Sequence, residues 1–366
     1  MKSLSVLVVK VFCCLLISTA AFTQSGDVMT VHYINVGQAQ SMVLEFPNGA
    51  VLIDAGAQPE MKENVHLFLD KFFDRRKDLN RTLNTVFVTH QHIDHDMALL
   101  DVAEHFTILN YVDNGHNNPK GSGVRQLLMQ QYKGELGIKY EAITFDKVTK
   151  GKNKAGYTDQ LIDAVDGKTG GTDPEIRVYS GAFAEGQVSD PKENNHSLII
   201  KVIFGKASFL FMGDLETAGI TKVLSWYEGA PQALKADVLQ VGHHGSANAT
   251  TEPWITAVQP KYAVINVGNW TFGLNPADSS STKFTTYAYG HPNKKAIDLL
   301  EAHIPGLLEK PVKKHIGIKG QDPKDPTKTP VFRMATIKHN IFATDWNGTV
   351  SITADKNAHY TVVTER

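Results

Sequence analysis

Apolar residues in this chain recur as short runs, and most runs stop at a glycine, an acid or a histidine. Residues 29–36, 41–46, 51–53, 86–88 and 108–112 form one series of such runs. Residues 197–204, 207–212, 237–241 and 262–267 form a second series. Runs this short, rich in β-branched and aromatic residues and bounded by turn residues, predict buried strands. Between them, apolar residues spaced three and four apart predict helices over 61–73, 97–103, 124–132, 216–226, 254–258 and 294–303. Strands alternate with helices twice over, which predicts an α/β fold of two sheets packed face to face with helices outside. The chain should close with strands over 341–344, 349–353 and 360–363, with Asn347-Gly348 as a hairpin turn. Residues 150–175 are polar and glycine-rich and read as a surface insertion, and the proline- and lysine-rich run 305–330 reads as a loop.

The first 25 residues carry a different pattern. Lys2 and Lys10 precede the apolar run 11–17 and the small residues Ser18, Thr19, Ala20 and Ala21, the order of a secretory signal. A retained N-terminal anchor is the alternative. Residues 26–366 then form one domain, with a polar insertion around 113–190. Both cysteines, Cys13 and Cys14, fall in the leader, so the mature chain would hold no disulfide, cysteine nucleophile or thiolate metal site. Any metal must be held by histidine and carboxylate. The 366-residue chain has a formal net charge of −1, and losing Lys2 and Lys10 makes it slightly more acidic. That balance lacks the electrostatic footprint of a nonspecific DNA binder. No second apolar run reaches membrane-spanning length, so a secreted or periplasmic location without a span in the mature chain is expected.

Candidate chemistry sits at the strand ends. Thr89-His90-Gln-His92-Ile-Asp94-His95 follows the run 86–88. Four residues able to ligate metal within six positions is far denser than a core or a solvated turn requires. His90 and His92, two apart, share a face of an extended segment and can hold one ion. Asp94 and His95 open the next helix and can face a second, with the helix N-terminus aimed at an anionic substrate. Asp214 ends the run 209–212 and can bridge two ions, or simply cap the following helix. Of His243 and His244 at the next strand end, one would ligate while its neighbour turns to substrate. Asp54, after 51–53, suits an acceptor that orients the 90–95 loop. His291 before Pro292 is either a phosphate contact and proton donor or a loop histidine. Trp270 and Phe272, in the loop 268–292, could wall a pocket.

These motifs, with Asp54-Ala-Gly56, Gly213-Asp214 and His243-His244, resemble the metallo-β-lactamase superfamily. More narrowly, four stretches resemble the extracytoplasmic hydrolase domain of bacterial DNA-uptake competence proteins (ComEC-like). They are Ile34-Asn-Val-Gly-Gln38, Asn194-Asn-His-Ser-Leu-Ile-Ile200, Ala236-Asp-Val-Leu-Gln-Val-Gly-His-His-Gly-Ser246 and Tyr289-Gly-His-Pro292. The tail Ala343-Thr-Asp-Trp-Asn-Gly-Thr349 is similar too. The resemblance spans about residues 28–355, thinly over 113–190. It implies a four-layer αββα sandwich and two divalent cations. By position, His90 and His92 would bind one, and Asp94, His95 and His244 the other, with Asp214 bridging. Many members place a further histidine near where this chain has Asn194, with His196 and His116 as the nearest substitutes. Nitrogen and oxygen ligands favour zinc, with manganese suited to the carboxylates.

The resemblance implies hydrolysis of a phosphodiester, in nucleic acid or a small phosphoester, by a hydroxide generated at the cation pair. Asp94 would hold that nucleophile, and His243 or His291 would stabilise or protonate the leaving oxygen, with Asn194 nearby. Amide or ester (β-lactam-type) hydrolysis and a non-catalytic metal-containing binding module are the rival functions. Protein partners are not legible.

Overall fold

Every predicted strand up to residue 267 is present, several of them shorter than expected, and two sheets share them. The computed structural model describes residues 26–116, 123–167, 170–268, 271–272, 284–285, 289–320 and 330–366. The predicted leader, Trp270 and the side chain of Phe272 lie outside the described residues.

In chain order the strands are β1 (Val28–Tyr33), β2 (Ser41–Phe46), β3 (Gly49–Ala55), β4 (Thr82–Val88), β5 (Thr107–Asp113) and β6 (Lys139–Ala142). Then follow β7 (Pro174–Ser180), β8 (Ile199–Phe204), β9 (Ala207–Phe211), β10 (Val238–Gln240), β11 (Tyr262–Ile265), β12 (Thr271–Phe272) and β13 (Phe284–Thr285). The last are β14 (Leu307–Lys319), β15 (Val331–His339), β16 (Ile341–Ala343), β17 (Val350–Asp355) and β18 (Tyr360–Thr364). The helices are α1 (Lys62–Arg75), α2 (Ile93–Asp96), α3 (Leu99–His105), α4 (Val124–Tyr132), α5 (Phe145–Thr149), α6 (Thr217–Tyr227), α7 (Glu252–Val258), α8 (Lys294–His303) and α9 (Thr344–Asn347).

One sheet runs β18-β17-β1-β2-β3-β4-β5-β6, and the other runs β16-β11-β10-β9-β8-β7. Within the first, β3 to β6 are parallel; within the second, β9, β10, β11 and β16 are parallel. Alternation along each strand sorts the side chains. Val31, Leu44, Ile53 and Phe87 of the first sheet meet Ile176, Val202, Phe209 and Val238 of the second in the inter-sheet core. The opposite set of the first sheet, including Val43, Leu52 and Val86, packs under α1, α3 and α4 through Leu69, Phe72, Val102 and Met129. Leu210, Leu239 and Ala263 of the second pack under α6, α7 and α8 through Val223, Trp254 and Leu300. Helix, sheet, sheet and helix make the expected four-layer αββα sandwich. Each fully buried large aliphatic or aromatic side chain contributes about 1.5–3 kcal/mol.

Three expectations are corrected. Within the run 305–330, residues 307–319 are not a loop: β14 pairs antiparallel with β15 in a separate two-stranded ribbon, with a register break beside Pro311. Proline is tolerated there because the break leaves it outside the ladder. Asn347-Gly348 is not a hairpin turn. β16 pairs parallel with β11 in one sheet, while β17 pairs with β1 in the other, and α9 carries the chain between them. Residues 150–175 are exposed at Gly151, Lys152 and Asn153, yet Ile162 and Val165 are buried in the inter-sheet core, so the stretch is part of the fold. The 113–190 region likewise supplies β6 to one sheet and β7 to the other. No helix among the described residues is long and apolar enough to cross a membrane.

Candidate metal centre

Parallel strands share one direction, so β3 and β4 end together, as do β9, β10 and β11, and a cleft at the carboxyl ends of such strands is a natural site. β4 delivers Thr89 and His90. His92 remains extended (φ −101°, ψ 150°) before α2 turns, which brings His90 Nε2 to 3.0 Å from His92 Nδ1. α2 then carries Asp94 and His95. Asp214 follows β9 through Gly213, whose φ of +52° and whose 2.7 Å separation between an added Cβ and Thr89 Oγ1 leave room only for glycine. Gly56 is more crowded still, since a Cβ there would lie 1.7 Å from the Asp94 carbonyl oxygen.

His243 and His244 follow β10 with φ of 48° and 54°. Left-handed backbone at two consecutive non-glycine residues costs roughly 1–3 kcal/mol at each, and such strain collects at functional sites. One donor atom each from Asp94, His95, Asp214 and His244 lies within 4.8 Å of the others. His244 Nε2 is 2.9 Å from Asp94 Oδ2 and 3.4 Å from Asp214 Oδ2, and His95 Nε2 is 3.3 Å from Asp214 Oδ1.

These four residues fit a divalent cation. His95 Nε2 and Asp214 Oδ1 are buried without a hydrogen-bond partner, an arrangement that is costly unless something else satisfies them. The opposite ring nitrogens are already engaged. His95 Nδ1 lies 2.8 Å from Asp54 Oδ2, and His244 Nδ1 donates to the Asn266 carbonyl at 2.7 Å, which leaves each Nε2 free to ligate. Asp54, fully buried with φ of 57°, is itself held by the Thr89 amide at 2.7 Å, the Thr89 hydroxyl at 2.9 Å and Gln40 Nε2 at 3.0 Å.

Electrostatics agree with that fit. Burial opposes charge on His95, but the Asp214 and Asp54 carboxylates outweigh it and hold the imidazole well above its ordinary pKa. Burial also opposes ionisation of Asp214, yet His244, His95 and His243 hold its carboxyl well below the usual range. Burial, with His95 and His92 nearby, pushes His90 well below its ordinary value, so it is neutral, as a ligand must be. Buried carboxylates that recruit protons in this way are the groups a cation would satisfy.

A cavity of about 680 Å³ opens above this group, lined by His92, Asp94, Asp214 and His244 together with Asn194, His243 and His291. His291 is 8% exposed, with Nδ1 3.4 Å from Gln38 Nε2 and its ring centre 5.6 Å from that of His243. Asn194 donates from Nδ2 to Glu216 Oε1 at 2.8 Å and lies 3.5 Å from His243 Nε2, while its buried Oδ1 has no partner. Neither substitute histidine lines the cavity. His196 Nδ1 accepts from the Phe183 amide at 3.0 Å, and its ring stacks on His116 at 4.2 Å. His116 in turn contacts Gln91 and Glu193, both at 2.9 Å.

Several neighbours went unread in the sequence. Glu216, two residues past Asp214, reaches His243 Nδ1 at 3.4 Å, and Asn248 Oδ1 reaches the same nitrogen at 3.1 Å. Spacing from Asp214 could have pointed to Glu216. The Asn266 carbonyl has no sequence signal, because any residue supplies one.

Comparison with known proteins agrees with this architecture. The profile of the metallo-beta-lactamase superfamily matches residues 34–268. ComE operon protein 3 of Bacillus subtilis (strain 168) is 28% identical over 282 residues, 75% of this chain and 30% of that protein. Recombination protein 2 of Haemophilus influenzae is 41% identical over 78 residues, 21% of this chain and 9% of that protein. The chain thus spans less than a third of the length of these relatives. Among solved structures, the short form of human tRNase Z aligns at 13% identity over 65% of this chain and 91% of that one, with a TM-score of 0.37. With a profile match across most of the sandwich and histidines and aspartates converging at its strand ends, the chain belongs to the metallo-beta-lactamase superfamily.

Proposed function

We propose that this chain is a secreted, metal-dependent hydrolase of phosphodiester bonds that holds two divalent cations, zinc or manganese. The observation that carries the reading is the convergence of Asp94, His95, Asp214 and His244 beneath a cavity that also presents His243 and His291. Similarity to a competence operon protein and to a recombination protein supports a phosphodiester over an amide substrate.

In this reading His90 and His92 would hold one cation, and Asp94, His95 and His244 the other, with Asp214 beside them. Bound there, a cation pair would polarise the phosphoryl oxygen and bring the pKa of a water down to about 7. The chain's own residues do the rest. Asp94 accepts a hydrogen bond from the attacking water and fixes its direction. Gln38 and Asn194 donate to the non-bridging phosphoryl oxygens. His243, steadied by Glu216 and Asn248, delivers a proton to the leaving oxygen, and His291 stands opposite it.

The test is hydrolysis by zinc- or manganese-loaded protein of single-stranded DNA, of a chromogenic bis-phosphodiester and of a β-lactam. Each is assayed before and after chelation, with a melting curve alongside. Turnover of a phosphodiester that chelation abolishes is expected. Turnover of the β-lactam alone would move the reading to amide hydrolysis. Loss of thermal stability on chelation, with no activity at any stage, would make the centre structural.

A further inference from the structure

Away from the strand ends, two helices bring a separate set of metal-ligating side chains together. His66 and Asp70 are four apart on α1, as are Asp101 and His105 on α3, so each pair shares a helix face. The two faces meet. His66 Nδ1 lies 2.9 Å from Asp101 Oδ2, and Asp101 Oδ1 lies 3.6 Å from His105 Nδ1. The two imidazole rings are 4.6 Å apart, edge to face. One donor atom each from His66, Asp101 and His105 lies within 4.8 Å of the others. Phe106 closes one side, with its ring 5.5 Å from that of His66.

His66 is the residue that calls for a cation. Its Nε2 lies 3.3 Å from Asp70 Oδ2, and Asp70 is itself anchored by Arg81 at 2.6 Å. That hydrogen bond holds the Asp70 carboxyl below its ordinary range. Both ring nitrogens of His66 therefore face carboxylate oxygens, which accept and do not donate, while a neutral imidazole carries one N–H. With the proton on Nε2, toward Asp70, the Nδ1 lone pair points at Asp101, and a positive charge has to stand between them. A proton would bridge those two atoms alone, whereas a metal ion also takes the second imidazole. His105 Nδ1 donates to the Asp101 carbonyl at 2.9 Å, which leaves Nε2 as its lone-pair nitrogen. A carboxylate behind the ring, in the place Asp70 occupies, is the usual partner of a metal-bound histidine.

We infer that His66, Asp101 and His105 form an additional metal site, separate from the strand-end centre, which takes a zinc-like divalent ion and clamps α1 to α3. Two imidazoles and a carboxylate suit zinc and disfavour calcium and magnesium, which prefer oxygen donors. The clamp bears on the strand-end centre through the backbone. α3 follows α2 closely, and the Ala98 amide between them donates at 2.7 Å to the carbonyl of Ala55, the neighbour of Asp54. The inference does not depend on the phosphodiesterase reading.

Zinc uptake by the metal-free full chain is measured by calorimetric titration and by metal analysis after dialysis. His105→Ala, a change at an exposed position, should bind about one zinc ion fewer per chain than the wild type, and Asp101→Asn should do the same. Asp70→Asn should keep the ion but bind it about 10–100-fold more weakly. Asp214→Ala, aimed at the strand-end centre, should retain it. Zinc should raise the melting temperature of Asp214→Ala more than that of Asp214→Ala/His105→Ala. Without zinc the two should melt nearly alike, since exposed ion pairs contribute little, and this reports that the fold is intact. Equal zinc uptake by the wild type and His105→Ala, or uptake at this site matched by calcium or magnesium, would overturn the inference. Wild-type protein that holds a single ion, lost in His105→Ala and kept in Asp214→Ala, would leave the helix site standing and remove the strand-end centre instead.

Discussion

The two sides of the candidate metal centre present their proposed ligands by different means. His90 and His92 follow β4 without any positive φ, and His92 sits on extended backbone just before α2. His243 and His244 occupy left-handed backbone beyond β10, and Asp214 depends on a left-handed Gly213. One side is built from ordinary backbone and the other from left-handed turns that the surrounding packing must enforce. A strand end can tolerate variation around its ligands. A strained turn holds its ligands only while the fold holds it, so stability and function are more tightly joined on the second side.

The largest predicted effect comes from Asp214, the group that joins the two sides. Asp214→Ala should reduce bound metal and lower kcat/KM by roughly 10³-fold or more, several kcal/mol of transition-state stabilisation, measured by metal analysis and steady-state kinetics. Full metal content with unimpaired turnover would separate the site from the chemistry. Next is Asp54, which reaches His95 from the first side. Asp54→Asn should weaken metal affinity about 10–100-fold in competition titrations with a chromophoric chelator.

Gly213→Ala tests the second side through stability. With φ at +52° and Thr89 packed against it, the variant should lose about 1–3 kcal/mol in urea denaturation. A neutral result would mean the turn relaxes freely. The smallest effect is the sharpest for the comparison. His243→Gly should gain about 0.5–1 kcal/mol of stability while losing turnover, because glycine adopts the left-handed backbone without strain. His92→Gly, on extended backbone, should instead lose stability. Destabilisation of equal size in both would erase the contrast.

The same contrast governs what could be read from the chain. The order of strands, the packing of two sheets and the cluster at 90–95 follow from periodicity and residue type, which act locally. Asp214 and the 243–244 pair were visible as polar residues at apolar strand ends. What escaped depends on tertiary context. β14 and β15 carry lysines and Pro311 in a ribbon that buries little beyond Ile316 and Ile337, so the apolar alternation that marks a strand is mostly missing. Asn347-Gly348 has the chemistry of a hairpin turn, but parallel pairing with β11 draws β16 into the other sheet. Ile162 and Val165 are isolated apolar residues in a polar stretch, and only the finished sandwich shows that they fill its core. Glu216 and the Asn266 carbonyl matter through positions that no spacing rule encodes.

β1 has consequences beyond packing. Val28 is registered against Asp355 and Tyr33 against Val350, so β1 is flanked on one side by a strand that lies very far from it in sequence. Pairings between residues so remote in sequence are slow to form, because a very long segment must be looped before they yield any contact. The first sheet therefore closes only once β17 has reached β1, and until then β1 offers an unpaired edge to any other strand.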